Sequence, residues 1–256
     1  MADRQGAGDA GEDLWERHAQ WWQEGFTGGA DAEYVEQILP LAAEHLAGTG
    51  AVVDIGTGEG QVARLARAGG ARTVVGVDPT SAQLRLAARR GGGASYVAGD
   101  AAHLPLAGAA FDAAVACLVF EHIVEVDLAL AEVARVLRPG GRFLFFLNHP
   151  LLQAPGSGWI DDHVLDPPEQ YWRVGAYLVE DHAVEEVDKG VFIPFIHRPL
   201  SRYVNAMAGV GLVIRHLAEP PPPAGFLARA AEYVQAATIP RLLFVLAERE
   251  ATEPPR

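Results

Sequence analysis

Apolar and polar positions follow two rhythms along this chain. Short, nearly continuous apolar runs lie at 51–55, 73–77, 94–98, 111–117 and 142–147, set off by glycine, proline or aspartate. Runs of this length, rich in valine and other strand formers, read as strands buried on both faces of a parallel sheet. Between them, 59–68, 81–90 and 126–137 read as helices, and Leu130, Val133 and Leu137 share one face of the last. Strand and helix thus alternate, the order that builds a parallel sheet with helices on both sides. Thr80 and Gln83 form a T-x-x-Q pattern that predicts a capping box for the 81–90 helix.

Two further helices are predicted ahead of the first strand, at 14–25 and 32–46, the second capped by Asp31. After the fifth strand the alternation breaks off until 199. Within that interval, arms at 183–187 and 191–196 flank Asp188-Lys189-Gly190, a hairpin loop in which glycine supplies the positive φ. A helix at 199–208, a strand at 211–217, a helix at 226–236 and a strand at 240–248 complete the chain. The prolines at 220–223 form a stiff connector without backbone donors.

Composition narrows the function classes. The 256 residues are 50% apolar, enough for one domain with a sizeable core. A balance of 20 basic against 33 acidic residues, −13 net, argues against nucleic acid as a partner. Cys117 is the single cysteine, which excludes an intrachain disulfide framework and fits a reducing cytoplasm. The first residues lack the basic and apolar regions of a signal peptide, and no apolar run reaches the ~20 residues that cross a bilayer. The expectation is a cytoplasmic protein with no membrane partner, a monomer or homodimer.

The chemistry centres on Val52-Val53-Asp54-Ile55-Gly56-Thr57-Gly58-Glu59-Gly60, a buried strand that runs into a glycine turn and opens a helix. A dinucleotide-binding turn reads G-x-G-x-x-G; here the order is G-x-G-x-G, with an acid two residues before the first glycine. Downstream come a strand ending in Asp78-Pro79, a strand followed by Gly99-Asp100-Ala101, then FDAAVACLVFEHI and LRPGGRF. In this order the set resembles the class I S-adenosylmethionine (SAM)-dependent methyltransferases, notably their small-molecule type 11 and type 25-like members. The likeness is firm over about 50–148 and looser beyond.

The resemblance implies a three-layer α/β/α Rossmann-like sandwich. Its sheet has seven mostly parallel strands with an antiparallel last strand, an N-terminal helical cover and an inserted cap. Residues 1–256 then form one domain, with cover 1–47, SAM-binding core 48–148, cap 149–200 and the rest of the sheet in 201–256. It implies SAM as cofactor. Asp54, Gly56, Thr57, Gly58 and Gly60 would form the binding turn, and Asp78 with Pro79 would meet the ribose. Asp100 and Ala101 would meet the adenine, and Cys117 and Leu118 would offer backbone groups near the methionine end. A strand-end carboxylate accepts from a ribose diol or an exocyclic amine, so the chemistry is sound. Asp78 is free for this if Thr80 and Gln83 cap the next helix. Asp100 has an alternative as an Asx-turn residue ending its strand.

The implied reaction is methyl transfer from SAM to an O, N or C acceptor on a small molecule. A hydroxyl acceptor wants a base, and His122, His149 and His197 are the candidates. His122 has an alternative role in capping or in the fold. The cover tryptophans Trp15, Trp21 and Trp22 either shape the mouth of the site or pin the helices to the core. Thr57 stands where the family often has cysteine. No N/D-P-P-Y/F follows the fourth strand, which removes the base-methylating DNA enzymes. Asp161, Asp162, Asp166 and the nearby histidines fit no strong metal spacing and read as a solvated acidic loop; metal independence is expected. The rival readings are a non-catalytic SAM-binding protein of the same fold and a nicotinamide-dependent oxidoreductase.

Overall fold

A computed structural model describes residues 10–233 and 235–251. Seven strands form the central sheet: β1 (Ala51–Ile55), β2 (Thr73–Asp78), β3 (Ser95–Ala98), β4 (Phe111–Cys117), β5 (Leu137–Asn148), β10 (Leu212–Ala218) and β11 (Leu242–Arg249). Their order is β10-β11-β5-β4-β1-β2-β3. All pairs from β5 to β3 are parallel, and β11 runs antiparallel to both β5 and β10. The expected Rossmann-like sandwich is therefore the fold found. No helix among the described residues is long and apolar enough to cross a membrane.

The strands form because their side chains are wanted on both faces. Val53 and Ile55 of β1 pack with Leu130 and Val133 of α6 (Val126–Val136) and with Tyr203 and Met207 of α8 (Leu200–Gly209). Val52 and its neighbours Val74 and Val115 face Ala42 and Leu46 of α3 (Leu39–Leu46) and Val62 and Ala66 of α4 (Gln61–Ala68). Each such aliphatic side chain contributes roughly 1.5–3 kcal/mol when buried. β5 starts earlier than its apolar run predicts, because the LRPGG segment already pairs Leu137 with Phe111 ahead of a register shift.

The cover is more broken than its periodicity predicts. Helices α1 (Ala10–Arg17) and α2 (Ala19–Gly25) meet at His18, and a π-helical turn, Tyr34–Ile38, leads into α3. Asp31 caps as expected, its Oδ1 accepting from the Tyr34 amide at 3.0 Å. The predicted capping box of α5 (Ser81–Arg90) is absent. Thr80 makes no side-chain cap bond, and Gln83 Oε1 instead accepts from Gln23 of α2 at 3.0 Å. Glu16 of α1 takes the free Ala82 amide at 3.1 Å, so the cover itself supplies part of the cap.

Beyond β5 come a short α7 (Pro150–Gln153) and two hairpins: β6 (Gly158–Asp162) with β7 (Glu169–Arg173), and β8 (Asp181–Asp188) with β9 (Val191–His197). The second is the predicted one, with Asp188 paired to Val191 across a tighter Lys189-Gly190 loop. The first replaces the expected acidic loop, since Asp161 and Asp162 lie on β6 and Trp159 pairs with Trp172. The predicted 226–236 helix shrinks to α9 (Ala224–Arg229).

Candidate active site

The turn after β1 is shaped by its neighbours. Gly56 and Thr57 donate to the Val77 carbonyl at 2.8 and 3.0 Å, which folds the loop over the end of β2. Gly56 has φ +67°, and a Cβ there would lie 2.3 Å from Val119 Cγ2; only glycine fits. The Gly58 amide donates to Asp78 Oδ2 at 2.8 Å, and the Thr80 amide donates to Asp78 Oδ1 at 2.9 Å. Asp78 thus joins the glycine loop to the turn after β2. The premise that Thr80 and Gln83 relieve it of local duties is corrected, although each carboxylate oxygen keeps a further lone pair.

Asp54 is buried beneath the turn, its Oδ2 accepting from Thr57 Oγ1 at 2.6 Å and from the Ala63 amide at 3.0 Å. Burial pushes its carboxyl up to about 7 against the pull of these bonds. Burial raises Asp78 as well. Glu59 is buried between Arg64 and Arg90, at 2.6 and 2.8 Å.

These residues open onto a cavity of about 640 Å³, within the usual ~300–1,000 Å³ of small-molecule sites. Asp54, Gly56, Thr57, Gly58, Asp78, Pro79, Asp100, Ala101, Cys117 and Leu118 all line it, while Gly60 sits behind, at the start of α4. Asp100 also makes the Asx-turn its alternative reading proposed, accepting from the Ala102 amide at 2.6 Å. Tyr34, brought in by the π-helical turn, completes the wall and accepts a bond from Cys117 Sγ at 3.4 Å. The lining carries Asp54, Glu59, Asp78, Asp100 and Glu125 but no lysine or arginine. Such a chamber attracts a cation bearing a diol and amines. It repels the pyrophosphate of a nicotinamide dinucleotide, which disfavours the oxidoreductase reading. The donor set fits SAM, a sulfonium with an ammonium group.

A second cavity, of about 550 Å³, lies against the first. Trp15, Trp22, Leu118 and His122 line both. Leu118 has φ +54°, a strained backbone for a branched residue, at the point where the cavities meet. All five tryptophans of the chain line the second cavity: Trp15, Trp21 and Trp22 from the cover, Trp159 and Trp172 from the first hairpin. Trp159 stacks on Tyr233 with ring centres 4.9 Å apart. The cover tryptophans therefore both pack and line; neither half of their alternative is empty.

The three histidines separate. His122 donates Nδ1–H to the Pro194 carbonyl at 2.7 Å and packs between Trp15 and Phe195. This fixes its tautomer and leaves Nε2 as an acceptor; burial pulls its pKa down to about 4. His149 lines neither cavity. Its Nδ1 accepts from the Leu151 amide at 3.1 Å and its Nε2 donates to Glu219 at 2.7 Å, so it caps α7 and ties it to the end of β10. His197 also lines neither cavity and donates from Nε2 to the Tyr177 carbonyl at 2.8 Å. Both are buried as expected, but neither borders the two cavities.

Sequence reasoning passed over Asn148, which ends β5, lines the second cavity and donates to Glu121. The signal was available: Asn148 stands at the carboxyl end of a predicted strand, the edge where open α/β sheets bind ligands. No group of three or more His, Cys, Asp or Glu among the described residues is placed to hold a metal.

Comparison with known proteins agrees with this chemistry. A family described as "Methyltransferase domain" matches residues 53–145. The demethylmenaquinone methyltransferase of Thermobifida fusca is 34% identical over 180 residues, 64% of this chain and 68% of that protein. The malonyl-[acyl-carrier protein] O-methyltransferase of Serratia marcescens is 36% identical over 125 residues, 48% of each. Several other curated relatives are likewise spanned over less than half their own length. A solved SAM-dependent methyltransferase from Mesorhizobium loti superposes with a TM-score of 0.71 at 29% identity, covering 86% of this chain and 98% of that one. The chain belongs to the class I SAM-dependent methyltransferases, and SAM is its cofactor.

Proposed function

We propose that the protein methylates a small molecule with a planar, apolar body held in the second cavity. The observation that carries this reading is the ring of five tryptophans around a chamber that shares a wall with the cofactor cavity. Aromatic side chains supply large, rigid contact area for a flat ring. Of the acceptor chemistries named for the two relatives, this lining favours a ring-bearing molecule over a carrier protein.

In this reading Gly56, Thr57, Gly58 and Gly60 let the cofactor approach the backbone, and Asp54 faces its ammonium group. Asp78 and Pro79 meet the ribose, and Asp100 and Ala101 meet the adenine. Cys117 and Leu118 border the methionine end. The bound cofactor supplies an electrophilic sulfonium methyl. The chain orients the acceptor atom in line with it and keeps water out.

His122 is the proton acceptor for a hydroxyl substrate, through Nε2. At a pKa of about 4 it stays neutral at physiological pH, yet it is too weak to strip a free hydroxyl. It takes the proton as the methyl arrives and the oxygen becomes strongly acidic.

The test is label transfer from methyl-labelled SAM to naphthols, hydroquinones and aryl amines, by wild type and Trp159→Ala. We expect at least one ring acceptor to be labelled. Trp159→Ala should raise its KM about tenfold, as expected for an aromatic contact of about 1–1.5 kcal/mol, with S-adenosylhomocysteine (SAH) affinity unchanged. No labelling across the panel, or an unmoved KM, would count against the planar acceptor.

A further inference from the structure

We propose that Asn148 reads a hydrogen-bond donor on the methyl acceptor, and that Glu121 decides which end of the Asn148 amide does the reading. This rests on the second cavity being the acceptor chamber. Asn148 is the last residue of β5 and lines that cavity. Its Nδ2 donates to Glu121 Oε1 at 2.8 Å, and its own backbone amide reaches the same oxygen at 3.3 Å.

Burial raises the Glu121 carboxyl to about 7, so at pH 8 it is mostly ionised, and an ionised carboxylate accepts and cannot donate. With one Nδ2 proton given to Glu121, Oδ1 is fixed in place as the amide's acceptor for a ligand, with a single Nδ2 proton left beside it. At that pH the opposite orientation would set Oδ1 against a carboxylate oxygen, which repulsion disfavours. Glu121 is 2% exposed, and its Oε2 has no partner among the described residues. The other oxygen takes both Asn148 nitrogens, which holds the asparagine side chain in one orientation.

The other strongly polar groups of the chamber are less available. Arg241 is paired to Glu33 and lies over the Phe226 ring, with Cζ 4.0 Å from its centre. Arg229 is 3.9 Å from Asp31. Trp172 Nε1 is a buried donor without a partner among the described residues, and it offers the complementary polarity. The chamber therefore suits a flat acceptor that bears an O–H or N–H on the Asn148 side. Asn148 is a specificity-determining residue and Glu121 a positioning residue.

The test uses two bicyclic probes of similar size. Indole carries an N–H donor; quinoline carries a ring-nitrogen acceptor and no donor. Each is titrated by calorimetry at pH 8 into SAH-saturated wild type, Asn148→Ala and Glu121→Leu. Wild type should prefer indole by about tenfold, the ratio that about 1.4 kcal/mol gives. Asn148→Ala should bring the ratio close to one. Glu121→Leu should do so as well, because Nδ2 loses its acceptor and the asparagine is free to turn over. Trp172 is common to all three proteins, so the change in ratio isolates Asn148. A merely structural role for either residue would lower both affinities together and leave the ratio standing, which would overturn the proposal. Equal binding of both probes to wild type would overturn it while leaving the acceptor chamber intact. Binding of neither would remove the chamber and the proposal with it.

Discussion

The two cavities share a wall and are built in opposite ways. Most of the first is lined by one stretch of chain, from Asp54 to Glu125, at the carboxyl ends of β1 to β4. Its recognition groups are backbone amides and short carboxylates held directly by the sheet, and its charge has one sign. The second takes its lining from the cover, the ends of β4 and β5, both hairpins and the region of α9. Its surface is aromatic, with acids and bases largely paired. A site made of backbone and strand ends tolerates almost no change. A site made of side chains on separate segments can change its ligand without disturbing the sheet.

If that contrast is right, the largest effect belongs to the glycine turn. Gly56→Ala forces a Cβ onto Val119 in a left-handed backbone and should cost about 2–5 kcal/mol of stability, read by chemical denaturation. A variant as stable as wild type would mean that the loop can give way, and the contrast would weaken. Next comes Asp78→Ala, which should weaken SAM binding by about 1.5–3 kcal/mol in calorimetry while leaving indole binding to the second cavity within twofold. Unchanged SAM affinity would take Asp78 out of the ribose site.

The smallest effect is a pH dependence confined to the first cavity. Asp54 holds its proton up to about 7 in the free protein. A cationic ligand favours the carboxylate, so SAM affinity should rise with pH through that value. Between pH 6 and 7.5 the gain should be severalfold; above this the cofactor's own α-amine, at ~7.7–8.0, begins to lose its charge. Asp54→Asn should flatten the profile. A flat wild-type profile would separate Asp54 from the ammonium group.

The first cavity was far more legible than the second. Strands β1 to β4, the glycine turn, Asp78 and Asp100 were read at or within a residue of their places, because apolar runs and turn residues are local signals. Local reasoning failed where a distant segment competed for the same group. Gln83 was assigned to its own helix, but Gln23 of the cover claims it and Glu16 takes the vacant cap position. Asp161 and Asp162 looked like a solvated loop, but pairing of Trp159 with Trp172 makes them part of a strand. His149 and His197 read as candidate bases, but Leu151 and Glu219 engage both nitrogens of His149, and His197 gives its Nε2 to the Tyr177 carbonyl away from either cavity.

By itself the sequence determined the strands of the sheet, most of the helices packed on it, and the strand-end acids that line the first cavity. These follow from side-chain period and from glycine and aspartate at strand ends, within a few residues of each other. Only the tertiary structure decided that five tryptophans from two remote segments enclose one chamber. It also decided that His122, of three candidates, borders both cavities, and that Asn148 bonds to Glu121. Those facts depend on which surfaces meet after long loops close, and no short-range pattern carries that information.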